Sequence, residues 1–475
     1  MKKTGNKELR KWDIIWSYLG QMVNYGVHIL LTPLIAVKLS SYELGLWYTF
    51  TSIFTLVNFF DTGFSPLIMR NAAYCMGGAR ELLKEGIQKG EGSGVCNYGL
   101  LKTLYQTARK LYGIMAAVFF ALLICVGIPY IRYITKTDFR PEYLGAWMIY
   151  SSGIFLNIFM ICLPAFLKGL GSIAEVQRSY AIGRGLQLLF SIAGVFAGFG
   201  LMALASGFLL GNTLICIMTY VHYRRHWRKE ILEAQAEMTQ RQVLGVLWFN
   251  ARKLGLVAIG RYMATQGNIM ICSTFLSLEV SACYGLTVQA LQAISSISMI
   301  YLQAVVPSIS SAKVAGDRKK EKQLFAAAIV VYWCSFGLAA LALVTVANPL
   351  LGLIGANTKL MELPLLILAV VSFFFQYNQI CFSLYIGMGN EVPYMKGEFF
   401  SGAAVMLCSL LLVLYTPIGL LGIIAAHGLV QACYNDWKWP LMVCRQMELT
   451  PAGIGSLGMQ GIRGRLLSGL RNRRQ

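Results

Sequence analysis

The chain has 475 residues, of which 56% are hydrophobic and only 13% charged, with a mean hydropathy of +0.58. Soluble domains carry about 25% charged residues, so this chain lacks the polar surface to cover itself in water, and its composition requires the bilayer as solvent. The formal charge of +20, from 41 Lys and Arg against 21 Asp and Glu, would suggest nucleic acid in a soluble protein. No basic run is interleaved with aromatics as a base-stacking platform requires, so the excess reads instead as cations retained on the cytoplasmic side.

A membrane-spanning helix needs about 20 mostly apolar residues. In chain order that length predicts twelve spans, over 13–38, 43–68, 110–134, 143–167, 173–197, 199–223, 253–276, 280–309, 323–347, 361–387, 391–415 and 418–443. The start, MKKTGNKELRK, resembles the n-region of a signal peptide, but the apolar stretch after it is too long and lacks a small-residue cleavage site. It is expected to be a retained first helix. Segments 69–109, 224–252 and 444–475 are expected outside the membrane. The tail mixes Leu and Ile with arginines, the pattern of an amphipathic helix on an anionic leaflet.

Lys and Arg collect on one side of this map: Lys2, Lys3, Lys7, Arg10 and Lys11 at the start, many in 69–109 and 224–252, and Lys313, Arg318, Lys319, Lys320 and Lys322 in AKVAGDRKKEK. The other side keeps only Lys38, Arg132, Lys136, Arg140 and Lys359. The asymmetry places both termini in the cytoplasm. The cysteines stand singly, mostly in apolar stretches and without a C-x-x-C pair, so neither a disulfide framework nor a metal site is expected.

The halves repeat. LSSYELGLWYTFTSIFTL from Leu39 parallels LSLEVSACYGLTVQALQA from Leu276, aligning Glu43 with Glu279 and Tyr48 with Tyr284. GLGSIAEVQRSY from Gly169 parallels GMGNEVPYMKGE from Gly387, and outer turns near Gly200 and Gly419 follow at matching distances. Six helices per half is an even number, so the expected fold is all-α and polytopic, with two parallel six-helix bundles around a central cavity. The expected domains are a lobe over 1–223, a cytoplasmic linker over 224–252, a second lobe over 253–443 and a basic tail from 444.

The order of these landmarks, with E-x-G-x-W/Y opening helix two, Asp61 and Gly63 near its inner end and G-x-G before helix five, resembles the polysaccharide-transporter family. That family belongs to the multidrug/oligosaccharidyl-lipid/polysaccharide exporter superfamily. The resemblance spans essentially the whole chain. It implies a flippase of the bacterial cytoplasmic membrane that moves undecaprenyl-diphosphate-linked oligosaccharide, an O-antigen, capsule or exopolysaccharide unit, to the outer leaflet. A polysaccharide polymerase and chain-length machinery would be its partners. A drug or cation antiporter of the same superfamily is the alternative, and a membrane-embedded polymerase or glycosyltransferase a more distant one. No P-loop, nucleophile elbow or metal-ligand spacing is present, so no cofactor and no enzymatic activity are expected.

Ionisable side chains inside spans each cost about 2.5–3.5 kcal/mol at mid-depth on insertion scales. Arg184 in helix five and Arg261 in helix seven lie, at about 1.5 Å rise per residue, about 12–15 Å from the inner surface. A guanidinium offers a fork of donors that suits phosphate, and the two are expected to hold the carrier diphosphate. The alternatives are snorkelling to headgroups or pairing with an acid such as Asp61. Asp61 is the candidate for coupling to H+ or Na+, and otherwise a salt-bridge partner or a helix-end group in DTGFSP. Gln21, Asn24, Tyr25 and His28 share one helical face and are expected to line the cavity and meet sugar hydroxyls. Lys168, beside the first glycine turn, is expected to mark topology.

Overall fold

In a computed structural model, the structure describes residues 31–59, 61, 63–79, 81–83, 96–136, 138–314, 317–387, 393–450 and 452–461. The described residues are helical and contain no strand. They divide into two compact units, one extending to Ala258 and the other starting at Ile259.

The first unit opens with a helical segment over 31–38. It continues through α1 (Ser41–Phe59), α2 (Ser65–Met76), α3 (Tyr98–Cys125), α4 (Gly127–Ile134), α5 (Pro141–Gly169), α6 (Ile173–Phe196), α7 (Gly200–His226) and α8 (Arg228–Glu233). The next helix, α9 (Gln240–Ala264), carries the chain into the second unit. That unit holds α10 (Gln266–Ile271), a π-helical turn (Cys272–Leu276), α11 (Leu278–Ser298), α12 (Ile300–Val314) and α13 (Arg318–Ala342). A second π turn (Leu343–Ala347), α14 (Asn348–Leu353), α15 (Leu363–Gly387), α16 (Met395–Tyr415), α17 (Leu420–Cys433), α18 (Asn435–Met447) and a last helix, α19, over 452–461 follow.

Eight stretches of the described residues are long and apolar enough to cross a membrane: Tyr98–Ile134, Pro141–Gly169, Ile173–Phe196, Gly200–His226, Leu278–Ser310, Arg318–Leu353, Leu363–Gly387 and Met395–Tyr415. The chain is thus an all-α, multi-pass membrane protein. The expected first span lies mostly outside the described residues, as do Gln21, Asn24, Tyr25 and His28. The remaining three expected spans are interrupted helices.

The span expected over 43–68 breaks between α1 and α2. Asp61 accepts backbone bonds from the amides of Phe64, at 2.8 Å, and Ser65, at 3.2 Å. Pro66 sits in the first turn of α2, where its missing N–H costs nothing. Gly63 lies against the backbone of Ala251, with no room for a Cβ. Asp61 therefore occupies a turn and not a continuous helix. The span expected from 253 begins at Gln240 and breaks at Thr265, and the span over 418–443 breaks at Tyr434. Segment 224–252 is not loop throughout: it ends α7, forms α8 and starts α9. It is laced to the start of α3, where Lys102 Nζ donates to the carbonyls of Leu232 and Ala234, each at 2.8 Å, and Asn97 donates to Glu237 Oε2 at 2.5 Å.

Within the first unit, α6 packs along α7, and α5 packs on α7, α3 and α2. Small residues bring α6 and α7 close: Gly183 faces Gly211 and Ile215, and Gly207 faces Gln187 and Ser191. Trp47, Phe50, Trp147, Tyr150 and Phe208 form the aromatic core. In the second unit α16 packs on α17, α15 on α18 and α17, and α13 on α12 and α11.

Two of the matched pairs of landmarks behave alike. Gly200 and Gly419 open the last helix of their six with φ of +48° and +50°. Tyr48 and Tyr284 are both buried. Glu43 and Glu279 differ: Glu43 forms a reciprocal capping box with Ser40, accepting from its amide at 3.1 Å, whereas in the second unit Ser277 caps α11 alone by accepting from Val280. Alanine at Gly200 or Gly419 would place a Cβ in the left-handed region, at about 1–3 kcal/mol each. Each substitution should lower the unfolding midpoint of purified protein in detergent. Gly337→Ala, inside α13 with open space around it, should leave the midpoint unchanged or raised.

Candidate functional site

Charged and hydrogen-bonding groups inside the apolar helices concentrate at one locus in each unit. In the first unit, Arg184 lies midway along α6. Its Nη1 donates to Gln187 Oε1 at 2.5 Å, one helical turn on, and its guanidinium carbon stands 6.0 Å from the centroid of Phe208. Among the described residues no carboxylate pairs with it. The expected alternative partner, Asp61, is engaged elsewhere. Its Oδ1 accepts from the Tyr112 hydroxyl of α3 and from Ser65 Oγ at 2.7 Å.

Asp61, Ser65, Pro66, Pro164, Lys168 and Tyr180 line a cavity of about 270 Å³. Lys168, expected as a topology signal, stands at this cavity with its Nζ 5.5 Å above the Tyr180 ring. The locus can therefore offer an incoming group a carboxylate acceptor and an ammonium donor.

In the second unit, Arg261 lies in the last turn of α9, just before the break at Thr265. Its Nη2 pairs with Glu398 Oε1 at 3.2 Å, and Gln379 Nε2 donates to the same oxygen, also at 3.2 Å. Glu398 is only 4% exposed and Arg261 32%. The geometry that allows the pair is a backbone crossing. Gly260, the neighbour of Arg261, packs on the Glu398 carbonyl, and Gly402, one turn after Glu398, packs on Gly260. A Cβ on either glycine would hold α9 off α16. The contact uses one edge of the guanidinium; Nε is buried and has no partner among the described residues. Arg261 is thus neutralised and yet keeps spare donors.

The polar locus continues from the Glu398 backbone. Ser401 Oγ donates to its carbonyl at 3.3 Å, Asn435 Nδ2 donates to Ser401 Oγ at 2.6 Å and to Gln431 Oε1 at 2.9 Å, and Trp439 Nε1 donates to Asn435 Oδ1 at 3.0 Å. Asp436, the second residue of α18, stands beside this cluster with Oδ1 buried and without a partner among the described residues. His427 is buried with its ring edge-on to Phe373 at 5.6 Å.

Of the expected site residues, Arg184 and Asp61 fall in the first unit without touching, and Arg261 falls in the second. Sequence reasoning did not single out Gln187, Tyr112, Lys168 as a cavity residue, or Glu398. Two of these had a signal: Gln187 is at i+3 from Arg184, and Glu398 is a carboxylate within the predicted span 391–415. Tyr112 is 51 positions from Asp61, and no local pattern links them.

The described residues include no group of three or more His, Cys, Asp or Glu able to hold a metal. No family profile and no curated protein matches the sequence. The fold does match solved structures. An inward-facing multidrug resistance MATE family transporter of the MOP superfamily aligns over 92% of this chain and 99% of its own, with a TM-score of 0.68 and 14% identity. The lipid II flippase MurJ, in an inward closed conformation, aligns over 96% and 93%, with a TM-score of 0.57 and 13% identity. A MOP superfamily transporter from Pyrococcus furiosus, described by the reverse polarity of its binding pocket, aligns over 92% and 95%, with a TM-score of 0.53 and 13% identity. The chain has the fold of these proteins.

A double-mutant cycle tests the second locus. Glu398→Gln and Arg261→Gln should each destabilise the purified protein, and the double variant should lose less than the sum, with a coupling of about 0.5–3 kcal/mol. Strict additivity in thermal unfolding would leave the pair without energetic content.

Proposed function

We propose that this protein is a membrane transporter that flips polyprenyl-diphosphate-linked oligosaccharide units from the inner to the outer leaflet by alternating access. The observation that carries this reading is Arg184: a guanidinium well inside an apolar helix, held by an amide and an aromatic face but by no carboxylate among the described residues. An unneutralised cation at that depth is costly, and an anionic cargo group offsets the cost through charge-assisted hydrogen bonds. Arg261 contributes in its own unit through the donors that Glu398 leaves unused. A transported diphosphate would compete with Glu398 for them.

The fold accommodates lipid-linked cargo, as its occurrence in the lipid II flippase MurJ indicates. It also occurs in MATE drug transporters, so antiport of a cationic drug is the other reading, and carboxylates at both loci favour it. Asp61 and Glu398 are, however, already engaged by donors. Asp61, lining a cavity with Lys168, serves in this proposal as the group that couples transport to H+ or Na+.

The test uses purified protein and two ligands, undecaprenyl diphosphate and tetraphenylphosphonium, with intrinsic tryptophan fluorescence as readout. Arg184→Gln should weaken undecaprenyl diphosphate binding by about tenfold or more, and Arg184→Lys should restore only part of it, because the planar fork is lost. In cells Arg184→Gln should abolish surface polysaccharide at unchanged protein abundance. Binding of tetraphenylphosphonium alone, tightened by Arg184→Gln, would establish the antiporter instead. In proteoliposomes, Asp61→Asn should remove the part of transport that an ionophore abolishes; full ionophore-sensitive transport in this variant would exclude Asp61 from coupling.

A further inference from the structure

A second anion-binding feature lies in the second unit, away from the Arg261 locus, where α12 gives way to α13. Lys313 near the end of α12, Arg318 and Lys322 in the first turns of α13, the Tyr385 ring of α15 and Gln446 of α18 surround a cavity of about 120 Å³, with Glu321 at its wall. This volume suits one phosphate group.

The charges here are only partly used. Glu321 is buried and accepts the Tyr385 hydroxyl at 2.7 Å, so its carboxylate orients the aromatic wall. Lys313 Nζ stands 4.4 Å above that ring and pairs with no carboxylate among the described residues. Arg318 Nη1 makes one long contact, 3.5 Å to the Gln446 carbonyl. Lys322 pairs at 3.1 Å with Glu448, a side chain 79% exposed, and exposed pairs contribute little and exchange readily. Three cations thus converge on a cavity whose one buried acid is occupied by a phenol. The end of α13 itself is already capped, since Asp317 accepts from the Lys320 amide at 3.0 Å, so the three side-chain cations carry the site.

The depth of the cavity identifies the source of the phosphate. Arg318 begins the apolar stretch Arg318–Leu353, so the first turn of α13 stands at headgroup level on the side that the Lys and Arg distribution predicts to be cytoplasmic. The helix over 452–461 lies against the same part of α13, with Gly458 on Ala326 and Gly461 on the Gln323 carbonyl, and leaves Met459 62% exposed. An exposed apolar side chain on a short helix beside a basic cavity is the arrangement of an interfacial anchor.

We propose that Lys313, Arg318 and Lys322 form a phosphate-binding site that takes the headgroup of an anionic phospholipid of the inner leaflet. The site differs from the cargo locus in residues, in depth and in ligand, and it docks the α12–α13 corner to the leaflet.

The full-length protein, placed in nanodiscs of phosphatidylcholine with or without phosphatidylglycerol, tests this by lipid retention in native mass spectrometry and by thermal unfolding. Phosphatidylglycerol should be retained and should raise the unfolding midpoint, and a Lys313→Gln/Arg318→Gln variant should retain it at least about tenfold less. The charge-conserving Lys313→Arg should behave as the parent, which separates loss of binding from loss of fold. An unfolding midpoint equal to the parent's in pure phosphatidylcholine confirms that the double variant is folded. If millimolar inorganic phosphate displaces phosphatidylglycerol and stabilises the protein equally in pure phosphatidylcholine, the site takes free phosphate and the lipid assignment fails. Equal retention of phosphatidylglycerol by parent and double variant overturns the site altogether.

Discussion

Hydrocarbon offers a polypeptide no hydrogen bonds, so every backbone or side-chain polar group at membrane depth must find its partner within the protein. That constraint organises this molecule. At several helix breaks a side chain bonds a carbonyl of the interrupted helix or ties the break to a neighbouring helix. At the bend between α3 and α4 the Trp147 indole donates to the Leu123 carbonyl at 3.0 Å. At Thr265 the threonine hydroxyl donates to the Arg261 carbonyl at 2.9 Å, and Asn268 donates to the Ala264 carbonyl at 3.3 Å. At Tyr434 the amide of Asn435 ties the break to Ser401 and Gln431.

Apart from Arg184, which lies midway along the continuous α6, the candidate site residues stand at or beside these breaks. Asp61 sits in the turn between α1 and α2, Arg261 just before the end of α9, and Asp436 just after the end of α17. A broken helix presents free backbone groups and changes direction, so it gathers polar side chains that a continuous lipid-facing helix would exclude. The price of the second locus is met by glycine: only the close approach of Gly260 and Gly402 brings Arg261 to Glu398. The two units treat their arginines differently. Among the described residues one is held by neutral groups and the other by a carboxylate.

Membrane class, the all-α fold and eight of the expected spans were legible in the amino-acid sequence. Apolar length and glycine-marked turns are local signals, and Gly200 and Gly419 share a positive φ. The turn at Asp61 was legible only as one alternative, a helix-end group in DTGFSP, and the breaks at 265 and 434 were not legible, because apolarity continues across them and a hydropathy reading cannot separate one helix from two collinear pieces. Polar residues at membrane depth could be identified, but their partners could not.

Sequence by itself therefore determined that this chain lives in a bilayer, that it is all-α and internally repeated, and that Arg184, Arg261 and Asp61 are charges lying within or beside apolar segments. These follow from composition and short-range periodicity, which no tertiary contact can alter. Only the tertiary structure decided that Glu398 neutralises Arg261, that Tyr112 and Ser65 hold Asp61, and that Lys313, Arg318 and Lys322 enclose a cavity. Tyr112 is 51 positions from Asp61 and Glu398 137 from Arg261, and such pairs meet only through helix packing, which is set by where small residues let backbones touch.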